Sequence, residues 1–274
     1  IFMNYCKLIK KITLGVSLLS LSMALISCSK ASSSEGTLKK DTLIVGMDDA
    51  FAPMGFKDES GEITGFDVDL AKELGKRLNK EIVFQPIDWT MKESELKAGN
   101  IDFIWNGYTI TNERKNKVDF SVPYLKNKQV IVTLSDSSIN SKSDLYGKKV
   151  GAQSESSAVT AMEKEEDLYN NFAGGSAVTF EDNNQALMDL EAGRIDAVVA
   201  DEILVRYYIS LKDEDKFKIL SDNFGEEEYG VGIRKGDTEM VDAFNNAYTE
   251  MQLDGTLKKI SEKWFSEDIT IKVQ

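Results

Sequence analysis

Leu96-Lys97-Ala98-Gly99-Asn100-Ile101-Asp102 and Leu190-Glu191-Ala192-Gly193-Arg194-Ile195-Asp196 agree at five of seven positions. Each is preceded by a stretch of helix-forming composition and followed by an apolar run. The glycine supplies the left-handed residue that closes many helices, and the isoleucine after it opens a buried strand. The chain therefore carries one helix-to-strand unit twice. That repetition implies two similar α/β lobes.

Working outward from the first copy, the strand over residues 101–105 runs into Asn106-Gly107-Tyr108-Thr109-Ile110-Thr111-Asn112-Glu113-Arg114. Gly107 permits unusual torsions, Asn106 and Thr109 offer donors, and Thr111 caps a helix whose first turn holds Arg114. Amides at a helix N-terminus favour an anion, and an arginine fork matches a carboxylate with two parallel hydrogen bonds. Taken alone, the stretch reads first as an ordinary turn before a solvated helix face. The second copy supplies what is missing: its strand, residues 195–199, is followed by Asp201. Two equivalent lobes facing each other would set an arginine against an aspartate, the charge layout of an α-amino acid.

The remaining pattern is also α/β. Residues 42–47 form a buried strand that delivers Asp48-Asp49-Ala50-Phe51-Ala52-Pro53 at its carboxyl end, where open α/β sheets bind ligands. Val68, Leu70, Ala71, Leu74 and Leu78 recur at helical spacing. Strands are expected at 82–84, 118–121, 130–134, 149–152, 178–180, 217–220 and 229–233, with 130–134 and 224–228 as candidate crossings between lobes. Helices are expected at 91–97, 184–192, 238–253 and 257–265. Trp89 reads either as a core aromatic or as a ligand wall.

A net charge of −13 leaves no basic face for releasing phosphate counterions and excludes nucleic acid as a partner. The absence of histidine removes histidine triads and histidine metal sites, and no metal or cofactor is expected. Lys7, Lys10 and Lys11 ahead of the apolar residues 12–26 read as an export signal. Leu25-Ile26-Ser27-Cys28 resembles the lipobox of bacterial lipoproteins, which implies lipidation of Cys28 and removal of residues 1–27. With Cys6 in the removed segment, no structural disulfide is expected. Residues 29–40, serine-rich and poor in apolar groups, read as a flexible tether.

Asp48-x-x-Phe51-x-Pro53, Gly65-Phe66-Asp67-Val68-Asp69-Leu70-Ala71, Gly107-x-Thr109-x-Thr111-x-x-Arg114 and Val118-Asp119-Phe120-Ser121 with Pro123-Tyr124 stand in order along the chain. With the two Ala-Gly-x-Ile-Asp echoes, they resemble the bacterial extracellular solute-binding proteins of family 3, the amino-acid receptors of ABC importers. The resemblance spans residues 41–265. It implies a type II periplasmic-binding-protein fold: lobe 1 from 41–127 and 229–265, lobe 2 from 128–228, a tail at 266–274, and a ligand cleft between lobes joined by two hinge strands. By the same resemblance, Arg114 and the Gly107 and Thr109 backbone take the substrate carboxylate with help from Ser157. Asp201 takes the ammonium group, Phe51 and Trp89 sandwich the side chain, and Asp48 and Gln153 read its polar end. The implied partners are a small-molecule amino acid and the permease and ATPase subunits of an importer. The protein would be a monomer held on the outer face of the cell membrane by lipid, or periplasmic in a cell with two membranes.

The family's usual glycine is replaced by Glu155, beside Ser156, and Asp49 adds a further acid next to Asp48. Glu155 either points to solvent or enters the cleft, and Asp49 poses the same choice. Two carboxylates on the substrate side chain would favour arginine or lysine. Asp48 alone would suit glutamine or cystine equally well. A dehydratase-type enzyme on the same fold, with Asp48 or Glu155 as general acid, and an amino-acid-sensing lipoprotein are the alternatives.

Overall fold

The computed structural model describes residues 36–212 and 214–273, and the expected signal segment, Cys28 and residues 29–35 lie outside them. The two echoed segments hold equivalent places. Gly99 and Gly193 both adopt positive φ, 82° and 69°, at the ends of the Lys92–Ala98 and Asn183–Glu191 helices. Each is followed by the middle strand of a five-stranded sheet, Phe103–Ile104 in one and Ala197–Asp201 in the other.

The first sheet runs in the order Glu81–Pro86, Thr42–Met47, Phe103–Ile104, Gly232–Arg234, Val118–Phe120. Its first three strands are parallel, and Gly232–Arg234 is antiparallel to both neighbours. The second sheet follows the same plan: Val178–Phe180, Val150–Gln153 and Ala197–Asp201 are parallel, then Leu125–Leu134 is antiparallel and flanked by Phe217–Tyr229. The inner parallel strands are short and largely buried, whereas the edge strands Glu81–Pro86 and Val178–Phe180 are half-buried or exposed. The Phe66–Leu78 helix buries Val68, Leu70, Ala71 and Leu74 along the stripe expected of it. A small antiparallel sheet of Ala50–Phe51, Gly55–Lys57 and Ile63–Thr64 follows the carboxyl end of Thr42–Met47.

Two strands carry the chain between the lobes. Leu125–Leu134 is longer than the strand expected at 130–134. Phe217–Tyr229 is one strand where two strands and a crossing were expected, with register irregularities between Ile219 and Asn223 and between Asn223 and Glu226. At the first-lobe end they are tied by Tyr124 N donating to Tyr229 O at 2.9 Å, and Gly230 N donates to Tyr108 O at 3.0 Å on the turn that follows Phe103–Ile104.

The structure departs from expectation at three further places. Residues 36–40 are packed rather than tethering: Thr37 is buried and its hydroxyl donates to Asp237, while Arg234 Nη1 donates to Thr37 Oγ1 at 3.0 Å. Residues 271–273 also pack, since Ile271 N donates to Tyr124 O at 2.9 Å and Val273 N to Gln252 Oε1 at 2.7 Å. The helices Glu166–Asn170 and Glu202–Ser210 were not anticipated, the second because its apolar residues follow a strand of the same composition without a glycine or proline between them.

Candidate functional site

The site forms where the carboxyl ends of both sheets meet. Behind Phe103–Ile104 the chain turns at Asn106-Gly107, and Gly107 takes φ +58°, a torsion that L side chains rarely adopt. A Cβ there would stand 2.8 Å from Phe51 Cε1, so the absent side chain lets the phenyl ring close over the turn. The turn is anchored from the first turn of the Phe66–Leu78 helix, where Asp67 Oδ2 accepts from Gly107 N at 2.8 Å and from Tyr124 OH at 2.9 Å. Burial pushes the Asp67 carboxyl up to about 7.

Thr111 caps the Asn112–Lys117 helix as expected, its hydroxyl accepting from Arg114 N at 3.1 Å. Arg114, 7% exposed, donates from Nη1 to Thr109 O at 3.0 Å and from Nη2 to Glu155 O at 3.3 Å. Its guanidinium lies 4.5 Å from the centre of the Tyr108 ring. Carbonyl oxygens and a ring face hold this buried cation, and no carboxylate pairs with it among the described residues.

Asp201 closes the Ala197–Asp201 strand and begins the Glu202–Ser210 helix. Its Oδ1 accepts from Asn127 Nδ2 at 2.6 Å, Tyr229 OH at 2.6 Å and Gln129 Nε2 at 3.0 Å. Glu227 Oε1 receives the same two amides, each at 2.7 Å, and Thr109 Oγ1 at 2.9 Å. Burial first, and repulsion from Glu227 second, raise the Asp201 carboxyl well above the usual carboxylate range. A hydrogen-bonded chain thus runs from the arginine side to the aspartate side: Thr109 Oγ1 to Ser157 Oγ at 3.0 Å, Ser157 to Gln129 at 3.1 Å, and Gln129 to Asp201.

At the other end, Asp48 Oδ2 accepts from Gln153 Nε2 at 2.7 Å and Asp48 Oδ1 from Ala50 N at 2.9 Å. Gln153 is fixed in turn by Glu181 O and Asn183 Nδ2, both at 3.1 Å. Burial outweighs these donors and pushes Asp48 up to about 6. Asn106 supports the same corner, its Oδ1 accepting from Asp48 N at 3.2 Å. Phe51 is buried in the main core, and Trp89 in a cluster with Leu96, Ile101, Ile104, Tyr108 and Val118, edge-on to Tyr108 at 6.0 Å.

The structure decides between the two orientations left open for each extra acid. Glu155 has positive φ, 55°, and an exposed side chain, so that its carbonyl rather than its carboxylate faces inward. Asp49 pairs with Lys57. Of the three acids, Asp48 alone is buried at this corner. Ser156 is buried and its hydroxyl has no partner.

Sequence reading passed over several residues of the site. Lys92 is 1% exposed and spans the cleft, donating to Trp89 O at 3.0 Å and Glu155 O at 3.1 Å. Burial, then Arg114, lower its ammonium to about 8. Nothing in a helical lysine announces this. Asn127 and Gln129 left a weak signal: in the polar start of their strand, Lys126-Asn127-Lys128-Gln129, the two amides alternate with two lysines and so share one face.

Comparison with known proteins finds this chain similar to amino-acid-binding proteins. The model of bacterial extracellular solute-binding proteins, family 3, matches residues 43–267. The L-cystine-binding protein TcyJ of Escherichia coli is 36% identical over 247 residues, 88% of this chain and 90% of that protein. The arginine-binding extracellular protein ArtP of Bacillus subtilis is 33% identical over 249 residues, 90% of this chain and 94% of that protein. An ABC uptake transporter substrate binding protein from Streptococcus pneumoniae, crystallised with bound histidine, matches at TM-score 0.83 and 38% identity, covering 86% of this chain and 97% of that one.

Proposed function

This chain belongs to the bacterial extracellular solute-binding proteins of family 3, and from that premise we propose that it captures a polar amino acid outside the cytoplasm for an ABC importer. The observation that carries the reading is the placement of a carboxylate-free buried Arg114 and a buried Asp201 beyond equivalent strands of two lobes. Arg114, the Gly107–Thr109 backbone and Ser157 take the α-carboxylate, and Asp201 takes the α-ammonium. Phe51 and Trp89 enclose the side chain, while Asp48, Gln153, Asn106 and Ser156 form its polar end. The single buried acid at that end suits a neutral polar side chain.

The lobes touch across the cleft through Asp48 with Gln153, Asn184 with Ala50 O, and Lys92 and Arg114 with Glu155 O. A ligand with contacts in both lobes shifts the population toward this closed form by its differential affinity. The closed, loaded form is the shape that a permease would recognise. The site binds and releases its ligand without catalysis.

A thermal-shift screen of the purified protein against all twenty amino acids and cystine tests this. A true ligand at a hundred times its Kd adds about 2.7 kcal/mol of stability, a rise of several degrees, and a flat screen would sink the reading. The lipobox resemblance supports a membrane anchor at Cys28. Cys28→Ser is expected to move the protein from the membrane fraction to the soluble one with binding intact, and retention in the membrane would refute the anchor.

A further inference from the structure

The acidic end of the cleft holds one more carboxylate than a single α-ammonium calls for. Glu227 Oε1 and Asp201 Oδ1 share the donors Asn127 Nδ2 and Gln129 Nε2, all four distances lying between 2.6 and 3.0 Å, so the two oxygens are held side by side. Ser157 Oγ adds a contact to Glu227 at 3.3 Å. Asn127 Oδ1 and Gln129 Oε1 are buried without partners, which leaves this corner rich in acceptors and short of donors.

No protein cation forms an ion pair with either acid among the described residues, and Lys115 and Lys126 only line the open cavity beside Glu227. From the Asn112–Lys117 helix, Arg114 stops at the Thr109 carbonyl. On the Leu125–Leu134 strand, Lys128 pairs outward with Glu226 at 3.7 Å, and on the Glu202–Ser210 helix, Arg206 pairs with Glu202 at 2.6 Å. The Ser157–Glu163 helix brings only the Ser157 hydroxyl, and Tyr229, on Glu227's own strand, donates to Asp201.

We propose that Asp201 and Glu227 form one half-site that holds a proton when no ligand is bound and gives it to solvent when a primary ammonium arrives. Charge balances: the pair passes from −1 to −2 as the ligand brings +1. The raised Asp201 carboxyl agrees with such a held proton. Glu227, Asn127 and Gln129 lie on the two strands that join the lobes, which places this proton at the hinge. The inference rests on the amino-acid reading above.

Calorimetric titrations of the full-length protein with L-arginine, L-glutamine and L-cystine near neutral pH, in phosphate and in Tris, test it. The apparent enthalpy is expected to vary with the buffer's ionisation enthalpy by an amount equal to one released proton. Affinity is expected to weaken about tenfold per pH unit on acidification below the pair's titration. Glu227→Gln removes the repulsion that adds to burial in raising Asp201, so binding should weaken but stay measurable while the buffer and pH dependence shrink. Glu227→Asp should retain both. Normal binding by the wild type with no buffer dependence overturns the shared proton, as does an unchanged slope in a folded Glu227→Gln protein. If that variant fails to fold, the wild-type slope decides by itself. Failure of the wild type to bind any of the three ligands, or any other amino acid in the thermal-shift screen, would overturn the amino-acid reading and this proposal together.

Discussion

Arg114→Ala is expected to cost about 2 to 5 kcal/mol of amino-acid affinity, roughly thirtyfold to several thousandfold in Kd. The arginine is buried and uses carbonyl oxygens and the Tyr108 face for support, which leaves its charge uncompensated by any protein carboxylate among the described residues. A ligand carboxylate closed into the cleft without it would lose its water and gain no cation. Arg114→Lys should recover only part of the loss, because an ammonium lacks the planar fork. Asp201→Ala should fall at the milder end of the same range, since Glu227 remains on the shared amides. Calorimetry with the ligand found by thermal shift gives both numbers. Near-native affinity in the folded Arg114→Ala protein would remove the arginine from the site.

The second large effect concerns stability. Trp105, 2% exposed, stands directly before the Asn106-Gly107 turn and packs edge-on against Phe244 at 5.1 Å, Phe103 at 6.3 Å and Tyr124 at 6.5 Å. Trp105→Ala leaves a cavity between the first sheet and the Thr238–Leu253 helix and is expected to cost about 3 to 5 kcal/mol. Against a total of roughly 5 to 15 kcal/mol for a typical domain, that loss should lower the melting temperature on the order of 10 °C. Trp105→Phe should recover much of it. An unchanged melting temperature in the alanine variant would show that the ring is not a packed part of the core. The truncation should also weaken ligand binding, because the turn bearing Gly107 and Thr109 rests on this ring.

Much of this arrangement is legible before any coordinates. The echo ending at Asp102 and Asp196 led to two lobes because a glycine-closed helix before an apolar run has few other structural meanings, and both copies do lead into the middle strand of a sheet. Thr111 was readable as a cap because its spacing to Arg114 satisfies a local geometric rule. The long Phe217–Tyr229 strand was not readable as one element: Gly225 and three successive glutamates interrupt its apolar alternation, and only pairing with Leu125–Leu134 keeps it extended. Glu155 shows a further limit. Its charge was visible, but whether the side chain or the carbonyl faced the cleft depended on a positive φ in a loop set by both lobes.

The sequence by itself determined the two-lobed class, the capped turn that bears Gly107 and Arg114, and the place of Asp201 after the equivalent strand, because these rest on local rules of capping, periodicity and repetition. The tertiary structure decided what each charge faces. It buried Lys92, turned Glu155 outward, paired Asp49 with Lys57, and brought Glu227 to Asp201 from a strand whose residues are far away in the chain. The orientation and ionisation of a side chain follow from desolvation and neighbours, and both are properties of the folded cleft rather than of the order of residues.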